Sequence, residues 1–181
     1  MTRAPVIAVV GPSGVGKDSV IDALVARVPG IHRMRRVITR PEDAGGEDFA
    51  RVSEAEFDRM EGAGAFVLSW SAHGLRYGVP VEIEMRRQEA QAVVVNLSRR
   101  VLLLAQDVFG SLIVISLTAA PEVLAQRLAA RGREDAAGRA RRLARAAPLP
   151  EGLACVIKAD NSGPLDATVE AILNRLQLER A

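Results

Sequence analysis

The stretch Gly11-Pro-Ser-Gly-Val-Gly-Lys-Asp-Ser19 decides the fold. Through Lys17 it spells G-x-x-x-x-G-K, a loop that wraps backbone N–H groups around phosphate oxygens and brings a lysine ammonium to them. The chain's own glycine and lysine frequencies put a chance match at about 0.01. Context lowers that further. The apolar run Val6–Val10 reads as a strand buried on both faces, and after Lys17 the residues Val20, Ile21, Leu24, Val25 and Val28 fall at helical spacing. Pro29-Gly30 then stops the helix. Strand, loop and helix in that order let the positive helix N-terminus add to the loop amides. Lysine usage points the same way. Arg fills 22 of the 24 basic positions, yet Lys stands at 17, where a compact point charge has to reach the β- and γ-phosphates. The alternative, a glycine-rich turn with no ligand, explains neither context nor lysine. One letter departs from the pattern. It normally continues with a Ser or Thr whose hydroxyl holds Mg²⁺; here Asp18 follows, and Ser19 comes one place later.

The rest of the chain bounds the class. Its 181 residues fit one domain, 1–181, with room for a sizeable core. Hydrophobic residues at 49% and charged residues at 25% are ordinary for a globular protein. No apolar run reaches the roughly 18 residues of a membrane span, so no membrane partner is expected. Met-Thr-Arg-Ala-Pro5 runs straight into the first strand with no signal-peptide pattern, and a single cysteine suits a reducing cytoplasm. Cys155 lies among Leu153, Ala154, Val156 and Ile157 and reads as an inert thiol in a buried strand. Net charge is only +2, but arginine clusters at 33, 35, 36 and 40 and seven times between Arg127 and Arg145. Such clusters suit nucleic acid or a multiply phosphorylated small molecule. Aromatics at 3% are too few to stack on successive bases, which disfavours nucleic acid.

Further strands are expected at Phe66–Trp70, Ala92–Val95, Leu112–Leu117 and Ala154–Ile157. Helices are expected at Ser53–Met60, opened by the capping box Ser53-x-x-Glu56, and at Pro80–Gln88, Arg99–Asp107, Pro121–Ala130, Ala136–Ala147 and Leu165–Leu178. The alternation implies a parallel α/β sheet with helices on both faces. The charged stretches 33–50 and 131–142 read as mobile excursions from that core.

Downstream of the loop, Val37-Ile-Thr-Arg40, Gly46-Glu-Asp-Phe49, Val52-Ser-x-x-Glu-Phe57 and His73-Gly-x-x-Tyr-Gly78 resemble the acceptor-binding insertion of guanylate kinases. Arg127-Leu-x-x-Arg-Gly132 and Arg142-Leu143 resemble their arginine-bearing lid. The resemblance implies a P-loop NTPase fold of the nucleoside-monophosphate-kinase type, with an acceptor part at about 33–90 and a lid at about 131–145. Three departures set the chain apart. Aligned on Gly74 and Gly78, Leu68 stands where guanylate kinases carry the glutamate that reads the guanine edge. A leucine cannot accept from that edge, and a site built on such a bond loses heavily without it. The acceptor loop is Thr39-Arg-Pro-Glu-Asp43, with one arginine instead of two, three residues shorter, and with Phe49 in a tyrosine's place. The strand Val93-Val-Val-Asn96 ends in Asn rather than in the metal-organising aspartate.

With these departures the chain resembles the ribose 1,5-bisphosphate phosphokinase family, whose five marker segments stand at Gly11–Ser19, Thr39–Glu47, Ser69–Val79, Val93–Arg99 and Arg127–Glu134. The resemblance implies transfer of the ATP γ-phosphoryl group to the 1-phosphate of ribose 1,5-bisphosphate, giving ADP and 5-phosphoribosyl 1-diphosphate. It implies ATP and Mg²⁺ as cofactors and ATP and a sugar bisphosphate as small-molecule partners. Gly11, Pro12, Ser13, Gly14, Val15, Gly16 and Lys17 are then the ATP-phosphate loop. Arg40 and Tyr77 grip an acceptor phosphate, with Arg36 a further candidate. His73 stands either on the sugar or as an exposed residue with no such role, and Trp70 either lines the sugar pocket or fills the core. Arg127, Arg131 and Arg142 close over the transferring group, with Arg133 beside them. For the metal, Asp18 is expected to replace the missing strand acid, with Ser19 as its rival. Adjacent helical residues point about 100° apart, so the two cannot share one role. Guanylate kinase and a non-catalytic guanylate-kinase-like binding module remain as alternatives.

Overall fold

A computed structural model describes residues 3–41, 48–130 and 148–176. β1 (Val6–Val10) is buried along its whole length and leads through the Gly11–Gly16 loop into α1 (Lys17–Arg27). β2 (Ile31–Arg33), β3 (Val37–Ile38), β4 (Ala50–Arg51) and α2 (Glu54–Gly62) follow, then β5 (Phe66–Ala72), β6 (Leu75–Pro80) and α3 (Glu82–Glu89). β7 (Ala92–Asn96) passes through a 3₁₀ turn (Arg99–Val101) into α4 (Leu102–Phe109). β8 (Leu112–Thr118), α5 (Pro121–Ala130), β9 (Val156–Asp160) and α6 (Leu165–Leu176) complete the described elements.

The central sheet runs β2-β7-β1-β8-β9, with every neighbouring pair parallel. Strand alternation sorts β1 between two cores. Ile7 and Val9 pack with Val20, Ile21 and Leu24 of α1 and Val169 and Ile172 of α6. Val6, Ala8 and Val10 pack with Ile83 of α3 and Leu102 and Ala105 of α4 on the opposite face. Because β1 has β7 on one edge and β8 on the other, its C-terminal end opens the crevice where α/β sheets bind ligands. Asp18 in the first turn of α1 and Arg27 in its last both complement the helix dipole.

A second sheet, β4-β3-β6-β5, lies along the acceptor part. Its β5–β6 hairpin closes through His73 and Gly74, with φ of 53° and 73°, the left-handed pair that two-residue hairpin turns favour. Leu68 and Val79 of this hairpin insert into the second core and so fasten the small sheet to the large one.

The expected parallel sheet, flanking helices and Ser53 cap are present, and the Ser53 hydroxyl accepts from the Glu56 N–H at 3.1 Å. Several expectations need correction. Phe66–Trp70 is a strand, but of the antiparallel hairpin rather than the central sheet. The stretch 33–50 holds strand pairing at Val37–Ile38 and Ala50. Arg99–Asp107 divides into a 3₁₀ turn and α4, because Ser98 caps the turn through the Arg100 N–H. The last strand begins at Val156, and Cys155 before it is exposed. Leu149, Leu153 and Val156 turn toward the second core while Cys155 faces out, an alternation that a bare apolar run does not reveal. The expected helix Ala136–Ala147 lies outside the described residues. Among the described residues no helix is long and apolar enough to cross a membrane.

Truncating Leu24, which is fully buried between α1 and the sheet, is expected to cost about 2–5 kcal/mol as Leu24→Ala. Leu104→Ala on the exposed side of α4 is expected to stay within about 0.5 kcal/mol. Urea unfolding of the two variants measures both.

Candidate active site

The loop leaving β1 turns on Gly14 and Gly16, whose φ values of 81° and 94° are left-handed and open to glycine at little cost. Gly16 caps α1, and a Cβ there would stand 2.7 Å from the Asn161 side-chain nitrogen. Pro12 and Ser13 form the outer part of the loop, with Ser13 exposed, whereas Val15 is fully buried and pins the loop to the core. The Lys17 ammonium donates to the carbonyls of Gly11 at 3.0 Å and Pro12 at 3.3 Å, which holds it over the loop.

Asp18 and Ser19 face different ways, as their helical separation requires. Asp18 turns toward β2, where its Oδ1 accepts from Arg33 Nη2 at 2.9 Å; Arg33 also pairs with Asp22. Ser19 opens onto a cleft of about 350 Å³ lined by Gly14, Gly16, Arg127, Asn161 and Leu165 among others. Asn96 is buried at the end of β7. Among the described residues no group of three His, Cys, Asp or Glu side chains gathers to hold a metal. Asp18 and Ser19 are the side-chain oxygens that directly follow Lys17 in the chain.

Arg127 projects from α5 into the back of the loop. Its two terminal nitrogens donate to the carbonyls of Val15 at 3.2 Å and Asn161 at 2.8 Å. Asn161 follows β9 and was not singled out from sequence. It is 4% exposed, and its Nδ2 donates to the same Val15 carbonyl at 2.8 Å. The turn that carries it is tied down on both sides. The Ser162 hydroxyl donates to Asp160 Oδ1 at 2.6 Å and accepts from the Ala120 N–H at 2.8 Å. The Ser162 hydroxyl and amide, with Arg127 nearby, hold the Asp160 carboxyl below its usual range. Arg131 and Arg142, expected on the lid, lie outside the described residues, as does Arg133.

The second sheet and its loops bring further arginines against aromatic rings. Trp70 and Tyr77 face each other across the hairpin and stack at 5.3 Å with their planes 7° apart. The buried Arg36 guanidinium lies over both rings, 5.1 Å from the Tyr77 centroid and 5.8 Å from the Trp70 centroid, within cation–π reach. Trp70 is half-buried, serving this stack and the second core together. Arg40 lies over the Phe49 ring at 5.3 Å, beside a cleft of about 440 Å³ that Thr39, Arg40, Arg51 and Ser53 help to line. Arg51 was missed from sequence, since nothing distinguishes one arginine among 22 until β4 brings it beside β3. Thr39 is fixed by its hydroxyl, which accepts from the Arg76 N–H at 2.9 Å. Arg76 itself is committed to Asp58 and Glu61, and its pKa is raised by the bond to Asp58 and by the surrounding acids. His73 stands exposed at the hairpin tip, where the turn geometry already accounts for it. Leu68 is 3% exposed and packed in the apolar core, so it presents nothing to an acceptor.

The glycine loop and Arg127 thus border one cleft, and Arg40 and Arg51 border a second. A protein-family model described as an AAA domain matches residues 7–147. The ribose 1,5-bisphosphate phosphokinase PhnN of a Ruegeria species is 59% identical over 180 residues, spanning 99% of this chain and 95% of that protein.

The chain belongs to the ribose 1,5-bisphosphate phosphokinase family.

The namesake protein of Pantoea vagans is 49% identical over 180 residues, spanning 98% of this chain and 99% of its own. Among solved structures, the guanylate kinase of Anaplasma phagocytophilum superposes with a TM-score of 0.71 at 19% identity, covering 99% of this chain and 87% of that one. At that identity the likeness shows the P-loop kinase fold alone.

Gly16→Ala is expected to lose about 1–2 kcal/mol to the left-handed backbone, besides the contact with Asn161. Gly62→Ala, where a Cβ meets nothing within 4 Å, is the control in the same denaturant titration.

Proposed function

We propose that this phosphokinase transfers the γ-phosphoryl group of ATP to the 1-phosphate of ribose 1,5-bisphosphate, releasing ADP and 5-phosphoribosyl 1-diphosphate. An oxygen of the acceptor's 1-phosphate forms the new bond to the γ-phosphorus while the bond to the β-bridging oxygen breaks, and ADP carries the electron pair away. The acceptor oxygen is already anionic, so no general base is needed. The work is positioning and charge neutralisation.

The observation that carries the reading is the acceptor side. Arg36 and Arg40 bring guanidinium groups to it, and a buried leucine stands at position 68, where the base-reading glutamate of guanylate kinases aligns. In this reading the Gly11–Gly16 amides and Lys17 hold the ATP phosphates. Arg40, Arg36 and Tyr77 hold an acceptor phosphate, with His73 at the rim toward the sugar. Arg131 and Arg142 cover the transferring group, whereas Arg127, expected with them, has both terminal nitrogens on backbone carbonyls behind the loop. Mg²⁺ held at this loop would supply positive charge to the phosphates and would need few protein oxygens. Asp18 is the proposed protein ligand, with Ser19, which lines the loop cleft, as its rival. Asp18 is the carboxylate that answers the missing strand acid, held in place by Arg33.

ADP release with ribose 1,5-bisphosphate, but not with GMP, is the expected result of a coupled assay. Turnover of GMP alone would refute the reading, and turnover of neither would favour a binding module. Arg40→Ala is expected to raise the acceptor KM about ten- to a hundredfold, as loss of a charged hydrogen bond should. Lys17→Ala is expected to lower kcat/KM by about 10²–10³-fold. For the metal, Asp18→Asn is expected to raise the Mg²⁺ concentration at half-maximal rate by about tenfold or more. An unchanged Asp18→Asn titration beside a shifted Ser19→Ala titration would instead give the metal to Ser19.

A further inference from the structure

Two side chains from separate elements converge on one backbone atom behind the phosphate loop. The Val15 carbonyl oxygen accepts from Asn161 Nδ2 at 2.8 Å and from Arg127 Nη1 at 3.2 Å, and Arg127 Nη2 donates to the Asn161 carbonyl at 2.8 Å. The triangle is closed and largely out of water, with Asn161 only 4% exposed. Its frame is rigid. The Asn161 N–H donates to the Thr118 carbonyl at 2.7 Å, tying the turn to the end of β8, and Ser162 ties it to the start of α5.

The carbonyl and the N–H of one trans peptide point in opposite directions. Pinning the Val15 carbonyl therefore fixes the direction of the Gly16 N–H, one of the amides the loop offers to a phosphate. The chain alone does not fix it. Turning over the Val15–Gly16 peptide changes ψ of Val15 and φ of Gly16, and a glycine tolerates both signs of φ. Gly16 cannot be exchanged for a stiffer residue, because a Cβ would stand 2.7 Å from the very nitrogen that pins the carbonyl. The position that lets Asn161 approach is thus the position that needs Asn161 to hold it.

The brace also leaves an expense unmet. Among the described residues Asn161 Oδ1, which is buried, has no hydrogen-bond partner. Turning the amide over would lose the Val15 bond and set oxygen against oxygen. The side chain is therefore oriented for the loop and not for its own satisfaction.

We propose that Arg127 and Asn161 are positioning residues that lock the Val15–Gly16 peptide in its phosphate-binding orientation, so that they set the loop's affinity for a nucleotide's phosphates. Arg127 thus acts through the backbone. The proposal rests on the reading of the loop as the ATP site.

The test compares adenosine, ADP and ATP binding to the wild-type protein, Asn161→Ala and Arg127→Lys. Neither substitution changes net charge, so a loss confined to phosphorylated ligands cannot come from altered charge. Calorimetry gives the nucleotide affinities, ligand-observed NMR gives adenosine, and thermal unfolding without ligand confirms that each variant is folded. ADP and ATP affinities are expected to fall about tenfold in each variant, with adenosine within about twofold of wild type. Equal losses for adenosine and ADP would overturn the proposal, because both residues would then be reading the base. Unchanged ADP affinity in both folded variants would overturn it as well. If wild-type protein bound ADP no more tightly than adenosine, the ATP reading of the loop would fail first and the proposal with it. If one variant does not fold, the other decides by the same criteria.

Discussion

The amides of the Gly11–Gly16 loop can face phosphate only because β1, from which the loop leaves, is held on both edges and both faces. β7 and β8 pair with it in register, and two separate apolar cores close over its alternating side chains. Val15, midway along the loop, is fully buried in one of those cores and ties the loop down again. A loop of glycines anchored so firmly at two points has little conformational entropy left to lose on binding a ligand. The preorganisation of the site is therefore a consequence of packing, and Arg127 and Asn161 complete it from behind.

Charge is the second constraint. A sugar carrying two phosphates must approach a nucleotide carrying three, and the chemistry itself needs no acid or base. The protein answers with cations of two kinds. A single lysine ammonium serves the donor loop, while planar guanidinium groups stack on aromatic faces at the acceptor side. Arg36 lies over Trp70 and Tyr77, and Arg40 over Phe49, within cation–π reach of those rings. Leu68, buried in the core, removes the base-reading group that a nucleotide acceptor would need. A bare sugar bisphosphate and a cationic acceptor site are two sides of one requirement.

Much of this was legible in the chain. The strand, loop and first helix follow from periodicity and from seven residues of motif, because local geometry and glycine placement decide them. The acceptor segment was legible through its resemblance, but its fold was not. Val37–Ile38 and Ala50–Arg51 are strands of two residues, too short to carry a period, and only the pairing of β3 with β6 and of β4 with β3 makes them strands. Cys155 shows the limit of apolar runs, which do not say which neighbour turns inward. Asn161 carried no signal at all, since its importance lies in a carbonyl 146 positions away in sequence. Asp18 was legible as a carboxylate in the first turn of α1. Its partner Arg33 was not, because the contact spans a helix and a strand.

The central claim is that the acceptor is a phosphate oxygen at C1 of the sugar. ³¹P NMR of the product formed from ATP and ribose 1,5-bisphosphate tests it directly. The account predicts two mutually coupled phosphorus signals from a diphosphate on C1, with the 5-phosphate unchanged. A diphosphate on C5, or new signals only from a phosphorylated nucleotide acceptor, would contradict it.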